Sequence, residues 1–209
     1  MTADLYLASQ SPRRRELLQQ LGIRFEQLRF RATPEEDDSD VAEDVLPNED
    51  AVTYVQRIAR IKAEGGVRRL SLRDLPRLPV LSADTTLEVD GEIIGKPDDA
   101  AHAAAILRQL SGRTHRVLTA IAMADDSRLA TRLSVSTVAM RPLSEQDIAH
   151  YIATGEPFDK AGAYGIQGHA AVFISGIRGS YTGIMGLPLF ETAELLAEFG
   201  ISVWRAPRN

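Results

Sequence analysis

The sequence predicts a mixed α/β fold (α+β), and three observations carry that prediction. Strand-like apolar runs alternate along the chain with helix-like periodic segments. Apolar residues make up 44% of the 209 residues, enough for a sizeable core. Turn signals such as Asp90-Gly91 and Asp125-Asp126 separate short β-rich runs.

Leu5–Ala8 reads as a buried strand. Pro12–Leu21 reads as a helix, with Ser11 as its N-cap, Pro12 at the first helical position and Gly22 as its stop. Phe25–Phe30 reads as a second strand, and Glu35–Asp50 as an acidic, mobile, solvated loop with few core residues. Asp50–Glu64 is helical, because Val52, Val55, Ile58, Ala59 and Ala63 fall on one face. Arg68–Arg77 reads as a basic connector. Val80–Ala83 is a short apolar strand ending at Asp84, and Leu87 and Val89 lead through the Asp90-Gly91 turn to Glu92–Ile94. Asp99–Leu110 is a helix stopped by Ser111-Gly112. Arg116–Ala124 and Leu129–Met140 form a hairpin, Ser144 caps a helix to Thr154, and Gly155–Gly168 is a glycine-rich loop. Ala171–Ile177 reads as a strand, Pro188–Phe199 as the last helix and Ile201–Trp204 as a final strand. No repeat or linker divides the chain, so residues 1–209 are expected to form a single domain.

Composition narrows the chemistry. The chain has no cysteine, which excludes disulfides, thiolate-held metals and thiol catalysis and suits a reducing cytoplasm. The N-terminus lacks the pattern of a secretory signal, and no run reaches the roughly 18 apolar residues of a membrane span. The net charge of −5 argues against binding a nucleic-acid polymer, but not against a local pocket for a small polyanion. Gly91–Pro97 mimics a phosphate loop but is one residue short and has proline where the hydroxyl ligand belongs. No G-x-G-x-x-G opens a helix, and no G-x-S-x-G elbow occurs. His102, His115, His150 and His169 are scattered and read as surface or supporting groups. With the usual nucleophiles absent, water assisted by a carboxylate or a metal is the natural attacking group.

Four segments depart from what stability alone favours. Arg13, Arg14 and Arg15 fill the first turn of a helix, where the helix dipole prefers acids. Either they bind an anion together with the free N–H groups, or they splay into solvent. Asp84 follows an apolar strand, as a general base, a metal ligand or a turn cap. Lys96 sits in the turn Gly95–Pro97. Asp159–Gly168 combines glycines, which allow close backbone approach, with Asp, Lys, Tyr and Gln side chains.

Taken in order, these segments resemble the Maf family of nucleoside triphosphate pyrophosphatases. The resemblance covers nearly the whole chain: L-A-S-Q-S-P-R-R-R-E-L-L from Leu7, Y-V-Q-R-I-A-R-I-K-A from Tyr54, S-A-D-T from Ser82 and G-K-P-D-D-A from Gly95. It continues through L-S-G-R-T-H-R-V from Leu110, G-E-P-F-D-K-A-G-A-Y-G-I-Q-G from Gly155, and G-L-P-L from Gly186. It implies an elongated mixed sheet flanked by helices, with two lobes around a cleft, as in the inosine triphosphate pyrophosphatases. It implies hydrolysis of a nucleoside triphosphate to the monophosphate and pyrophosphate by attack on the α-phosphorus, with Mg²⁺ or Mn²⁺ as cofactor, in a cytoplasmic homodimer. Tyr164–Gly168, as Y-G-I-Q-G, resembles the branch acting on dTTP and UTP, and Arg13, Thr85 and Gln167 fall at the positions tied to that choice. A sister branch acts on 7-methyl-GTP, and an older association with septum formation offers a division regulator as the alternative. By the same resemblance Ser9, Ser11, Arg13, Arg14, Lys62, Lys96 and Lys160 bind phosphate, and Asp84 is the catalytic base or a metal ligand; Arg15, one position on, faces elsewhere on the helix and is expected in solvent. The acidic segment is longer than the family pattern, which leaves the family's acidic residue there between Glu35 and Glu36.

Overall fold

The computed structural model describes residues 3–31 and 38–204, and Glu35 and Glu36 lie outside them. A sheet of seven strands forms the centre. Strand β1 (Leu5–Leu7) pairs in parallel with β2 (Phe25–Gln27) and with the start of β3 (Val80–Val89). The end of β3 turns back on β4 (Glu92–Ile94), and β3 from Val80 to Glu88 runs antiparallel to β5 (Thr114–Ala124). Beyond lie β6 (Leu129–Met140) and β7 (Ile174–Arg178), which gives the spatial order β2-β1-β3-β5-β6-β7 with β4 alongside β3.

The helices form where their caps permit. Helix α1 (Pro12–Gln20) is capped by the Ser11 hydroxyl on Arg14 N, and α2 (Ala51–Leu72) by Asp50 on Val52 N and Thr53 N. Asp99 caps α3 (Ala100–Leu110), and Ser144 with Asp147 builds a reciprocal capping box at α4 (Glu145–Ala153). A short α5 (Tyr181–Ile184) precedes α6 (Leu189–Glu198). None of the described helices is long and apolar enough to cross a membrane.

Five boundaries differ from the sequence reading. The strand from Phe25 stops at Gln27, because Leu28 N makes the last bond to β1, at Leu7 O. Helix α2 runs through the expected basic connector to Leu72, with Arg69 and Leu70 buried. Gly65 and Gly66, weak helix formers, hide that continuity. A Cβ at Gly66 would stand 2.6 Å from Val80 Cγ1, so glycine lets α2 press onto the sheet. Strand β3 does not end at Ala83 but continues through Asp84 and Thr85. Residues His169–Phe173 form a 3₁₀ turn, so β7 begins only at Ile174. Ile201–Trp204 pairs with no strand; Trp204 is exposed and its N–H bonds Ser202 Oγ.

Side-chain alternation along β3 and β5 sorts the helices. Even positions of β5, Leu118 to Ala124, pack with Val55, Ile58 and Ala59 of α2. On the opposite face, Leu81, Ala83, Ile121 and Met123 pack with α1 and α6, while Leu87, Val89 and Val117 pack with α3 and α4. Between these two apolar clusters, Thr85 and Thr119 meet hydroxyl to hydroxyl at 2.9 Å. This polar waist separates the two lobes.

The sheet also forks here. Strand β1 pairs with β3 only as far as Leu81, and β4 joins only at Leu87. Residues 82–86 therefore have β5 on one side and, among the described residues, no strand on the other. Asp84 and Thr85 sit in that opening.

Candidate active site

A cleft of about 1350 Å³ opens at the fork. Its lining brings together the positions to which the resemblance gave a role: Ser9, Ser11, Arg13, Arg14, Lys62, Asp84, Thr85, Lys96, Lys160 and Gln167.

On the α2 face, Lys62 is only 8% exposed, yet its ammonium lies 2.9 Å from Asp84 Oδ1 and 2.6 Å from Glu43 Oε1. One cation between two carboxylates leaves a negative charge over, which Lys96 and Arg14 help to offset. Burial pushes the Glu43 carboxyl up, but Lys62, Lys96 and Arg14 together outweigh it and hold the group below its usual range. Sequence reasoning missed Glu43 and looked to residues 35 and 36. No local signal marks it, because the segment that carries it is shaped by contacts to α2. Tyr54 donates to Glu43 O at 3.0 Å, and Arg57 donates to Asp44 O and pairs with Glu49. Asp40 accepts from both Arg68 and Arg69, and the Arg69 bond brings its carboxyl down to about 2. Residues 38–49 are thus a strap tied to α2 at both ends, not the free loop expected.

The three arginines of α1 do three different things. Arg13 lines the cleft, and among the described residues no ion-pair or hydrogen-bond partner engages its side chain. Arg14 turns inward: it donates to Gly186 O and Ala83 O, both at 2.8 Å, to Thr85 Oγ1 at 3.2 Å and to Ser9 Oγ at 3.3 Å. Burial lowers its pKa, with Asp84 and Glu43 opposing. With four of its five N–H groups taken by the protein, Arg14 keeps one for a group in the cleft. Arg15 is half-buried rather than exposed.

The remaining cations differ as well. Lys96 is exposed on its turn, and the turn is docked to the glycine loop by Gly162 N donating to Gly95 O at 2.9 Å. Lys160 is half-committed, donating to Glu156 O at 2.7 Å and to Asp159 Oδ1 at 2.5 Å. Gln167 is exposed at the cleft, its amide without a partner among the described residues. The loop beneath it is held by Glu156, which accepts from Tyr151 Oη and His169 N. Among the described residues no group of three or more His, Cys, Asp or Glu forms a ready-made metal cage.

A forked mixed sheet, a cleft lined by cations and two carboxylates meeting on a lysine define an α/β protein with a charged cleft at the fork of its sheet. The chain belongs to the Maf family: the model of the Maf-like proteins matches residues 4–199. A protein of Aromatoleum aromaticum named dTTP/UTP pyrophosphatase is 64% identical, over 95% of this chain and 96% of its own length. Proteins of the same name from Dechloromonas aromatica (56% identical, 94% of this chain, 97% of theirs) and Chromobacterium violaceum (53%, 95% and 96%) match as fully. Among solved structures, the Staphylococcus aureus Ham1 protein aligns with 65% of this chain and 71% of its own, at 16% identity and a TM-score of 0.45.

Proposed function

We propose that this chain hydrolyses dTTP and UTP to the monophosphate and pyrophosphate, acting as a single Maf-like domain over residues 1–209. Water attacks the α-phosphorus, the bond to the bridging α,β-oxygen breaks, and pyrophosphate leaves. The observation that carries the reading is the Glu43–Lys62–Asp84 arrangement inside a cleft rimmed by Arg13 and Lys96. The substrate class is supported by three relatives at 53%, 56% and 64% identity that bear the name dTTP/UTP pyrophosphatase.

Asp84 accepts the proton of the attacking water, or would help to hold a divalent metal ion that would make that water more acidic. Lys62 has three N–H donors, two on carboxylates and one left for a phosphate oxygen. Arg13 with its own backbone N–H, Ser11 and Ser9 receive the phosphate tail at the start of α1, and Lys96 and Lys160 add charge as pyrophosphate departs. Gln167 donates to and accepts from the pyrimidine edge, with Arg13 and Thr85 completing the choice of base.

The donor chemistry fits a hard divalent cation. Glu43 and Asp84 each place one oxygen on Lys62, leaving Glu43 Oε2 and Asp84 Oδ2 for Mg²⁺ or Mn²⁺, whose shell phosphate oxygens would complete. Bound there, the ion would neutralise phosphate charge and acidify water. A chain without cysteine suits the reducing cytoplasm proposed as its setting.

The test is hydrolysis by purified protein with Mg²⁺ or Mn²⁺ of each common nucleoside triphosphate and of 7-methyl-GTP, with product identification. Monophosphate and pyrophosphate from dTTP and UTP are expected. Orthophosphate release, or turnover of 7-methyl-GTP alone, would overturn the assignment.

A further inference from the structure

Arg14 occupies the place where the sheet lacks a strand. Leu81 O accepts from Ala8 N of the chain leaving β1, so carbonyls of that parity on β3 point toward the fork. Ala83 O is the next, and β1 has already ended. The Arg14 guanidinium fills the gap and donates to Ala83 O at 2.8 Å. Its Nε reaches across to Gly186 O, also at 2.8 Å, in the turn after α5. Gly186 has φ +110°, and a Cβ there would stand 3.3 Å from Arg14 Nε, so glycine permits the approach. The other terminal nitrogen of Arg14 donates to Thr85 Oγ1, which meets Thr119 Oγ1, which in turn donates to Gly183 O at 2.7 Å. One planar group thus ties α1, β3 and the 183–186 turn, and fixes the Thr85 rotamer.

We infer that Arg14 is a positioning residue: it replaces the missing strand at the fork and sets Thr85 and Ser9 for substrate, leaving Arg13 as the arginine of this helix that meets phosphate. The inference deepens the proposed hydrolysis of dTTP and UTP and rests on it for its kinetic consequences. A lysine keeps the charge of Arg14, but one ammonium cannot reach four acceptors on three segments. Misplacing groups beside a reacting centre by about 1 Å costs roughly 10²-fold in rate.

Arg14→Lys and Arg13→Ala in the full chain separate the two roles. Arg14→Lys is expected to lower kcat for dTTP by roughly 10²-fold, leave KM within about threefold and weaken the preference for dTTP over 7-methyl-GTP. Arg13→Ala is expected to raise KM for dTTP with a smaller effect on kcat. An Arg14→Lys enzyme with wild-type kcat and base preference would overturn the inference.

A second measurement needs neither variant nor turnover. In ¹⁵N-labelled wild-type protein, the Arg14 Nε–H signal should exchange slowly and stay in place as pyrophosphate is added, while that of Arg13 shifts. An Arg14 signal that follows pyrophosphate would sink the positioning role. If the wild type hydrolyses neither dTTP nor UTP, the reaction assignment fails alone, because this titration still decides what Arg14 does.

Discussion

His115 Nε2 lies 2.7 Å from the hydroxyl of Tyr164, and the two rings meet edge to face at 5.4 Å. The bond ties β5 to the glycine loop that carries Gln167. His115 is 2% exposed, its Nδ1 has no partner among the described residues, and burial lowers its pKa to about 4. The unfolded chain titrates this imidazole near 6.5. The folded value is the lower one, so the neutral form is favoured by folding. The stability it supports is present above pH 6.5 and lost as pH falls toward 4, to a limit of about 3 kcal/mol. Urea unfolding between pH 7 and pH 5 should show this slope, and His115→Phe should flatten it. An unchanged slope would remove His115 from the acid sensitivity.

Asp84→Asn should lower kcat for dTTP by roughly 10²–10⁴-fold, the range for losing a proton acceptor. Lys62 keeps its pair with Glu43 at 2.6 Å, so the variant should remain folded. Steady-state kinetics beside a thermal melt test both halves. Near-normal turnover by a folded variant would take Asp84 out of the chemistry.

Asp40→Asn should loosen the strap without touching the cleft. It weakens the pairs with Arg68 and Arg69 at 2.7 and 2.8 Å. Cleavage within residues 38–49 should quicken under limited proteolysis, and kcat should fall because Glu43 is no longer held to Lys62. Faster cleavage with full activity would show that Glu43 does not depend on the strap.

Gly162→Ala should destabilise the protein by about 1–3 kcal/mol. Gly162 has φ +73°, and an added Cβ would stand 2.8 Å from Leu87 Cδ2. Chemical denaturation measures the loss, and a cost below a few tenths of a kcal/mol would mean the loop shifts freely.

Gln167→Ala should erode selectivity for dTTP and UTP more than it lowers the summed rate. Its exposed amide supports nothing in the fold. Ratios of kcat/KM across bases are the readout, and an unaltered ratio would count against the role of Gln167.

Much of the fold was readable because its signals are local. Ser11-Pro12 and Ser144 announce their helices, and Asp90-Gly91 turns β3 into β4 with both residues at positive φ. What escaped depends on distant partners. Strand β3 looked finished at Ala83 because Ser82, Asp84 and Thr86 are polar, yet Ser82 is satisfied by Ala59 O and Asp84 by Lys62, both on α2. Side chains of one residue type in one helical turn gave no hint that Arg13 and Arg14 part company. That division follows from a gap in the sheet, which only the assembled strands reveal. The convergence of Ser9, Lys62, Asp84 and Lys96 on one cleft was legible through family resemblance rather than spacing.

Helix α2 acts as a ruler. Lys62 and Arg69 are two turns apart, so they share a face and differ in height by about 10 Å. One engages Glu43 and the other Asp40, and the height difference sets where the carboxylate is delivered. One residue inserted between them would rotate Arg69 by about 100° relative to Lys62 and throw the strap out of phase. The spacing of a single helix thus sets the point along the cleft at which a mostly polar segment meets Lys62 and Asp84.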